Sequence, residues 1–216
     1  MAQTTNTTTG PTTARRWQIF GLAFLGGLLL IGGLALATWL LAPRQIQFHG
    51  TVVDSTRPAA DFTLTTAGGR RVSLGDFRGK VVLLFFGFRF CPDICPTTLF
   101  EMKQMMQVLG PDADRVQVLM VTIDPERDTP DLMQEHVSRY DPRFIGLSGT
   151  PEEIAAVATP YGIYYAREPG SANTGYLMTH TASITVVDKK GYVRVIFPFG
   201  ISSADMAADV KALLDE

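Results

Sequence analysis

The chain has 216 residues, 46% hydrophobic and 19% charged, with 19 basic and 21 acidic side chains. That is enough chain for one globular domain with a real core. The near balance of charge leaves no basic patch of the kind that binds nucleic acid. There are only two cysteines, and both fall in one short stretch, GFRFCPDICPTT at 87–98.

In chain order, residues 1–16 begin with the Thr-rich MAQTTNTTTGPTTA and end in Arg15 and Arg16. So little apolar surface does not offset the entropy of ordering, so this stretch is expected to be a disordered cytoplasmic terminus. Residues 17–42 carry no charge. As a helix they would run about 39 Å, enough to cross a hydrocarbon core of about 30 Å with some tilt. Trp17 and Trp39 stand near the two ends, as in an aromatic belt. The reading is a single-pass transmembrane anchor. A cleavable signal peptide is the alternative, with ALA at 35–37 as its cleavage site, but the apolar stretch exceeds the usual h-region. Either way the two arginines stay inside and the chain after Arg44 is delivered to the periplasmic or extracytoplasmic side, of a bacterial cell membrane rather than the mitochondrial inner membrane. All three basic residues before position 50 face no acid, which leaves 16 basic against 21 acidic afterwards, net −5.

Residues 43–58 read as a tether passing into a first short strand, and 59–216 as the domain proper. DFTLTT and RRVSL, around Gly68 and Gly69, suggest a hairpin. KVVLLFFGF at 80–88 is apolar on both faces, as a central parallel strand is. Leu99, Met102, Met106 and Leu109 follow a helical period. RVQVLMVTID at 115–124 is a second buried strand. TPDLMQEHVSRY at 129–140 is a helix with Pro130 in its first turn, FIGLSG a short strand, and TPEEIAAVATPYG a helix with Thr150 as N-cap and Pro151 at N1. REPGSANTGYLMT reads as a loop of small residues, with His180 opening the strand after it. A hairpin, TASITVVD to YVRVIFPFG, and a helix, SSADMAADVKALLDE, close the chain. The order implies an α/β fold, a mixed central sheet flanked by helices.

Cys91 and Cys95 sit where a central strand gives way to a helix, the usual seat of chemistry in open α/β sheets. Backbone N–H groups there favour thiolate over thiol. At i and i+4 the two sulfurs can meet on one ion or on each other. A metal site, a redox dithiol and a buried structural pair all stand at this point.

CPDICP resembles the C-x-x-x-C-P signature of the Sco/SenC family, and the likeness extends to residues 61–88, to VTIDPERDTP at 121–130 and to HTASITVVDKKGYVRVIF at 180–197. The resemblance implies a membrane-anchored thioredoxin-like fold and a copper carrier rather than an enzyme. Its partners would be an upstream copper donor and the copper-bearing subunit of cytochrome c oxidase, with the membrane engaged through residues 17–42. It maps one copper ion per chain onto Cys91, Cys95 and His180. Phe90 departs from relatives with histidine or tyrosine there, and removes no ligand. Two soft thiolates and an imidazole suit copper, whereas zinc would want a fourth ligand, for which Asp93 is within reach. The rival reading is a thiol–disulfide reductase that keeps the oxidase's cysteines reduced, but the spacing is one residue longer than C-x-x-C and LMTHTAS holds no proline. Of the other candidates, Met102, Met105 and Met106 read as core, His136 as half-buried packing and His49 as a surface or strand-edge group. Met178 reads as a packing neighbour or transient ligand, and Asp124 should lie near the cysteines.

Overall fold

The computed structural model describes residues 26–27, 29–38, 47–170 and 175–216. The expected disordered terminus and both ends of the expected anchor lie outside the described residues. Within the first unit, residues 26–27 and 29–38 are helical, and Leu29, Leu30, Ile31, Leu34 and Leu36 are 56–78% exposed. Among the described residues, no helix is long and apolar enough to cross a membrane.

The second unit, Gln47–Glu216, is built on a six-stranded mixed sheet. Its strands are β1 (Thr51–Val52), β10 (Val193–Phe197), β9 (Ile184–Val187), β4 (Val81–Gly87), β5 (Val116–Thr122) and β6 (Ile145–Leu147), in that spatial order. β4, β5 and β6 run parallel; β9 is antiparallel to β4, and β10 and β1 continue the antiparallel half. All seven residues of β4 and of β5 are buried, which is why VVLLFFG carries no alternation: both of its faces are covered. β2 (Thr63–Thr65) and β3 (Arg71–Ser73) form the expected hairpin as a separate two-stranded sheet.

Among the described residues of this unit the α-helices are α1 (Ile94–Leu109), α2 (Pro130–Ser138), α3 (Pro151–Ala158) and α4 (Ser203–Asp215). α1 and α4 pack together, and α2 lies along β6. That approach requires Gly146, since a β-carbon there would meet the Met133 carbonyl oxygen at 2.4 Å. The Thr150 hydroxyl caps α3 and Glu153 bonds back to the Thr150 N–H, a complete capping box. Met102, Met105 and Met106 are fully buried in the core.

Two elements differ from the sequence expectation. α1 begins at Ile94, three residues before the expected helix TTLFEMKQMMQVL at 97–109, and so takes in Cys95 and Pro96. Proline is tolerated there because the first-turn N–H groups have no partner within the helix. The expected loop before His180 is instead largely a hairpin of β7 (Tyr165–Pro169) and β8 (Tyr176–His180), in register from Tyr165↔His180 to Pro169↔Tyr176. His180 therefore ends a strand rather than opening one. This hairpin lies outside the main sheet and most of it is only part-buried, so neither face demands an apolar stripe and the strand pattern is weak in sequence.

Candidate metal centre

The end of β4 turns at Phe88, whose carbonyl accepts the Cys91 N–H (3.3 Å). Cys91 stands half-exposed in that turn, and Cys95 is fully buried in the first turn of α1. The Cys95 N–H, one of the helix's free first-turn donors, points at Cys91 Sγ (3.3 Å). His180 arrives from 85 residues further along, its Nε2 3.6 Å from Cys95 Sγ. Its Nδ1 lies 2.9 Å from the Thr181 carbonyl oxygen, which can only accept, so Nδ1 carries the ring proton and the Nε2 lone pair faces the sulfurs. Phe85 and Phe88 pack edge-to-face with the imidazole, at 6.3 and 6.0 Å between centroids. The three donor atoms all lie within 4.8 Å of one another.

This arrangement fits a metal ion. Bonds of roughly 2.3 Å to sulfur and 2.0 Å to nitrogen at 120° would hold sulfur and nitrogen about 3.7 Å apart and the two sulfurs about 4.0 Å apart. Asp93, the fourth group in reach by sequence, instead accepts from the Thr97 hydroxyl (3.4 Å) and does not join the cluster. A cavity of about 280 Å³ opens onto Cys91 and His180, walled by Phe88, Pro92, Ile94, Leu177 and Met178 among others.

The two sulfurs differ sharply. The hydrogen bond from the Cys95 thiol holds Cys91 down to about 4; burial opposes this, and the N–H groups of Cys95 and Asp93 add to it. The same contact pushes Cys95 strongly up, reinforced by burial and by the negative charge on Cys91. The reduced pair is therefore one thiolate and one thiol.

The neighbouring segment, DPERD, divides its two end carboxylates. Asp124 is buried and takes the Tyr176 hydroxyl (2.6 Å) and the Arg127 Nε. The carboxylate whose charge reaches Cys95 is that of Asp128, which is fully buried and accepts the Thr122 hydroxyl (2.8 Å) and the Arg89 N–H (3.1 Å). Asp128 thus braces the turn that carries Cys91. In sequence the motif marks both acids and singles out Asp124; nothing local distinguishes Asp128, whose role comes from its contact with the distant Arg89 N–H. Phe90 is 52% exposed, with the Arg89 and Arg127 guanidinium groups 5.2 and 4.9 Å from its ring centre. His136 is half-buried against Tyr140, and His49 pairs with Asp209; neither joins the cluster.

A family model described as SCO1/SenC matches residues 52–215. The mitochondrial SCO2 homolog of Bos taurus is 36% identical over 178 residues, covering 82% of this chain and 67% of that protein. The solution structure of apo Sco1 from Thermus thermophilus superposes with a TM-score of 0.71 at 38% identity, covering 80% of this chain and all of that one. The structure of ScoI from Bradyrhizobium japonicum, with copper bound, gives 0.67 at 40% identity, covering 73% and 100%.

Proposed function

The chain belongs to the SCO1/SenC family, one of cytochrome c oxidase assembly proteins, and from that premise we propose that it is a membrane-anchored copper carrier. It takes one copper ion on Cys91, Cys95 and His180 and passes it to the oxidase subunit that holds copper. The observation that carries this reading is His180 Nε2, whose lone pair is left free by the tautomer that the Thr181 carbonyl fixes at Nδ1 and is aimed at two sulfurs at ligand spacing. Soft thiolates with one imidazole favour copper(I). Two thiolates and a neutral imidazole leave the site at −1 with copper(I) and neutral with copper(II), so neither state builds up a large buried charge.

Loading costs one proton, that of Cys95, because Cys91 is already a thiolate. Unloading starts from the open side: incoming ligands enter by the cavity beside Cys91 and His180, and the buried Cys95 leaves last. Exchange with an external disulfide passes two electrons and the remaining proton to that disulfide, which leaves as a thiol and a thiolate, and joins Cys91 to Cys95, so neither sulfur is left as a thiolate to donate. The dithiol is then a switch on metal affinity.

A second reading is favoured by the thiolate–thiol asymmetry. An exposed, low-pKa Cys91 beside a buried Cys95 suits an attacking and a resolving sulfur in a disulfide reductase. His180→Ala separates the two. The carrier loses copper retention and oxidase maturation together while its thiols still oxidise. The reductase keeps maturation in His180→Ala and loses it in Cys91→Ser. Wild-type copper affinity and full oxidase assembly in His180→Ala would overturn the carrier.

A further inference from the structure

His180 is carried by a part of the molecule that the main sheet does not hold. Among the described residues β7 and β8 pair only with each other, so whatever fixes this hairpin fixes the imidazole over the sulfurs. At the root of the hairpin, the Thr181 N–H donates to the Tyr164 carbonyl (2.9 Å) and the Tyr164 N–H to the Thr181 hydroxyl (3.1 Å). These bonds close the hairpin on itself and tie it to nothing else.

The tie to the body lies at the other end of β8, four residues and about 13 Å from His180. There the Tyr176 hydroxyl donates to Asp124 Oδ1 (2.6 Å), and Arg127 Nη1 donates to the Tyr176 carbonyl (3.0 Å). The Arg127 guanidinium lies 3.6 Å from the centre of the Tyr176 ring and that of Arg167, from β7, 4.1 Å. Arg167 also pairs with Glu126 (2.7 Å). The receiving side is firmly set: Asp124 is 2% exposed, and its N–H is held by the Thr122 hydroxyl at the end of β5 (2.9 Å). Arg127 also reaches the Phe90 ring, so one guanidinium touches both the cysteine turn and the hairpin that brings the histidine.

We propose that Tyr176, clasped by Asp124 and Arg127, is a positioning residue that keeps His180 on the two sulfurs, and that the strength of this clasp sets how fast copper is surrendered. The inference rests on the copper reading above. With the clasp open, the hairpin keeps its root, the Arg167–Glu126 pair and the packing of Tyr165 and Met178 on the core, but β8 loses its hydrogen-bonded anchor at the far end, the imidazole leaves the metal more often, and two sulfurs with an empty third position then face incoming ligands. A hydrogen bond to a charged group is worth roughly 10- to 100-fold in such an equilibrium. Tyr176→Phe removes that bond and keeps the ring beside the arginines; Tyr176→Ala removes both.

The test uses the full chain in detergent micelles, loaded with copper under reducing conditions, as wild type, Tyr176→Phe, Tyr176→Ala, His180→Ala and the hairpin control Tyr164→Phe. Release of copper(I) to a chromophoric chelator should quicken about tenfold in Tyr176→Phe, further in Tyr176→Ala, and remain unchanged in Tyr164→Phe. In the copper(II) form, the imidazole-nitrogen coupling in electron paramagnetic resonance should fade in the same order, which a general loss of stability would not produce. Where Tyr176→Ala unfolds, Tyr176→Phe with a wild-type melting temperature decides. Wild-type release and coupling in Tyr176→Phe, beside fast release in His180→Ala, overturns the inference alone. Wild-type release in His180→Ala overturns the ligand reading, and the inference falls with it.

Discussion

A β-carbon built on Gly87 would lie 2.9 Å from Cys95 Sγ, 2.9 Å from Met120 Cε and 3.0 Å from Phe85 Cε1. The methionine tip can swing aside, but the sulfur is only two bonds from the helix backbone, through Cβ, and moves only by leaving its rotamer. Gly87→Ala is therefore expected to fold and to lose about 10- to 100-fold in copper affinity, read by competition with a copper(I) chelator. Unchanged affinity would mean that the position of Cys95 is not critical. The other sulfur governs a pH profile. Cys91 stands at about 4 against an ordinary 9.0, so in the reduced, metal-free protein it is a thiolate throughout the neutral range. Its alkylation by iodoacetamide, followed by mass spectrometry, should be flat from pH 6 to 9 and fall only as pH drops below about 5. An unperturbed thiol would instead gain about tenfold per unit up to its pKa. A depressed pKa also means that the folded thiolate stabilises the domain fully above pH 9.0, with the contribution lost as pH falls through about 4. Cys95, buried and held as a thiol, should resist the reagent.

One element depends on a single carboxylate. Asp209 on α4 is 1% exposed and accepts the N–H groups of His49 (2.9 Å) and Gly50 (3.0 Å), and His49 Nδ1 lies 2.7 Å from it. Asp205, one turn earlier, stands 3.4 Å from Nε2. These contacts dock the segment leading into β1. The hydrogen bond to Asp209 is the main cause that raises His49 above its ordinary 6.5, with burial opposing it and the charges of Asp209 and Asp205 adding to it. A raised histidine stabilises the fold fully below its unfolded pKa, and that contribution disappears as pH rises through the folded one. His49→Gln, which keeps the backbone donors, should therefore melt below wild type at pH 5.5 and converge with it by pH 9, followed by circular dichroism. A deficit that grows with pH would reverse the assignment.

For the whole molecule the open question is where the folding unit starts. Residues 59–216 hold the cysteines, most of the sheet and helices α1 to α4, yet β1 pairs with β10 from outside that span, at Thr51↔Ile196 and Val52↔Val195. Removing it would bare the edge of β10 and leave Asp209 without its donors. A fragment from Gln47 should be soluble and fold cooperatively, whereas one from residue 59 should melt lower or aggregate. Equal melting temperatures would place β1 outside the folding unit.

What was legible in the sequence was what near neighbours decide. An apolar run without alternation at 81–87 means a strand covered on both faces, Thr150 and Pro151 mean a capped helix start, and Met102 and Met106 one turn apart mean a core stripe. The four-residue spacing of Cys91 and Cys95 brought two sulfurs together for the same reason. It could not say which of three histidines completes the set; family resemblance, not spacing, pointed to His180. Only the fold brings an imidazole across 85 residues to 3.6 Å from Cys95, on a hairpin too exposed to carry an apolar pattern. Only the fold separates Asp128, which braces the cysteine turn, from Asp124, which clasps Tyr176. And Gly87 reads in sequence as a strand ending, while its tertiary reason is the sulfur packed against its missing side chain. Periodicity records which face of an element is buried; what that face meets is set by the packing of segments distant in the chain.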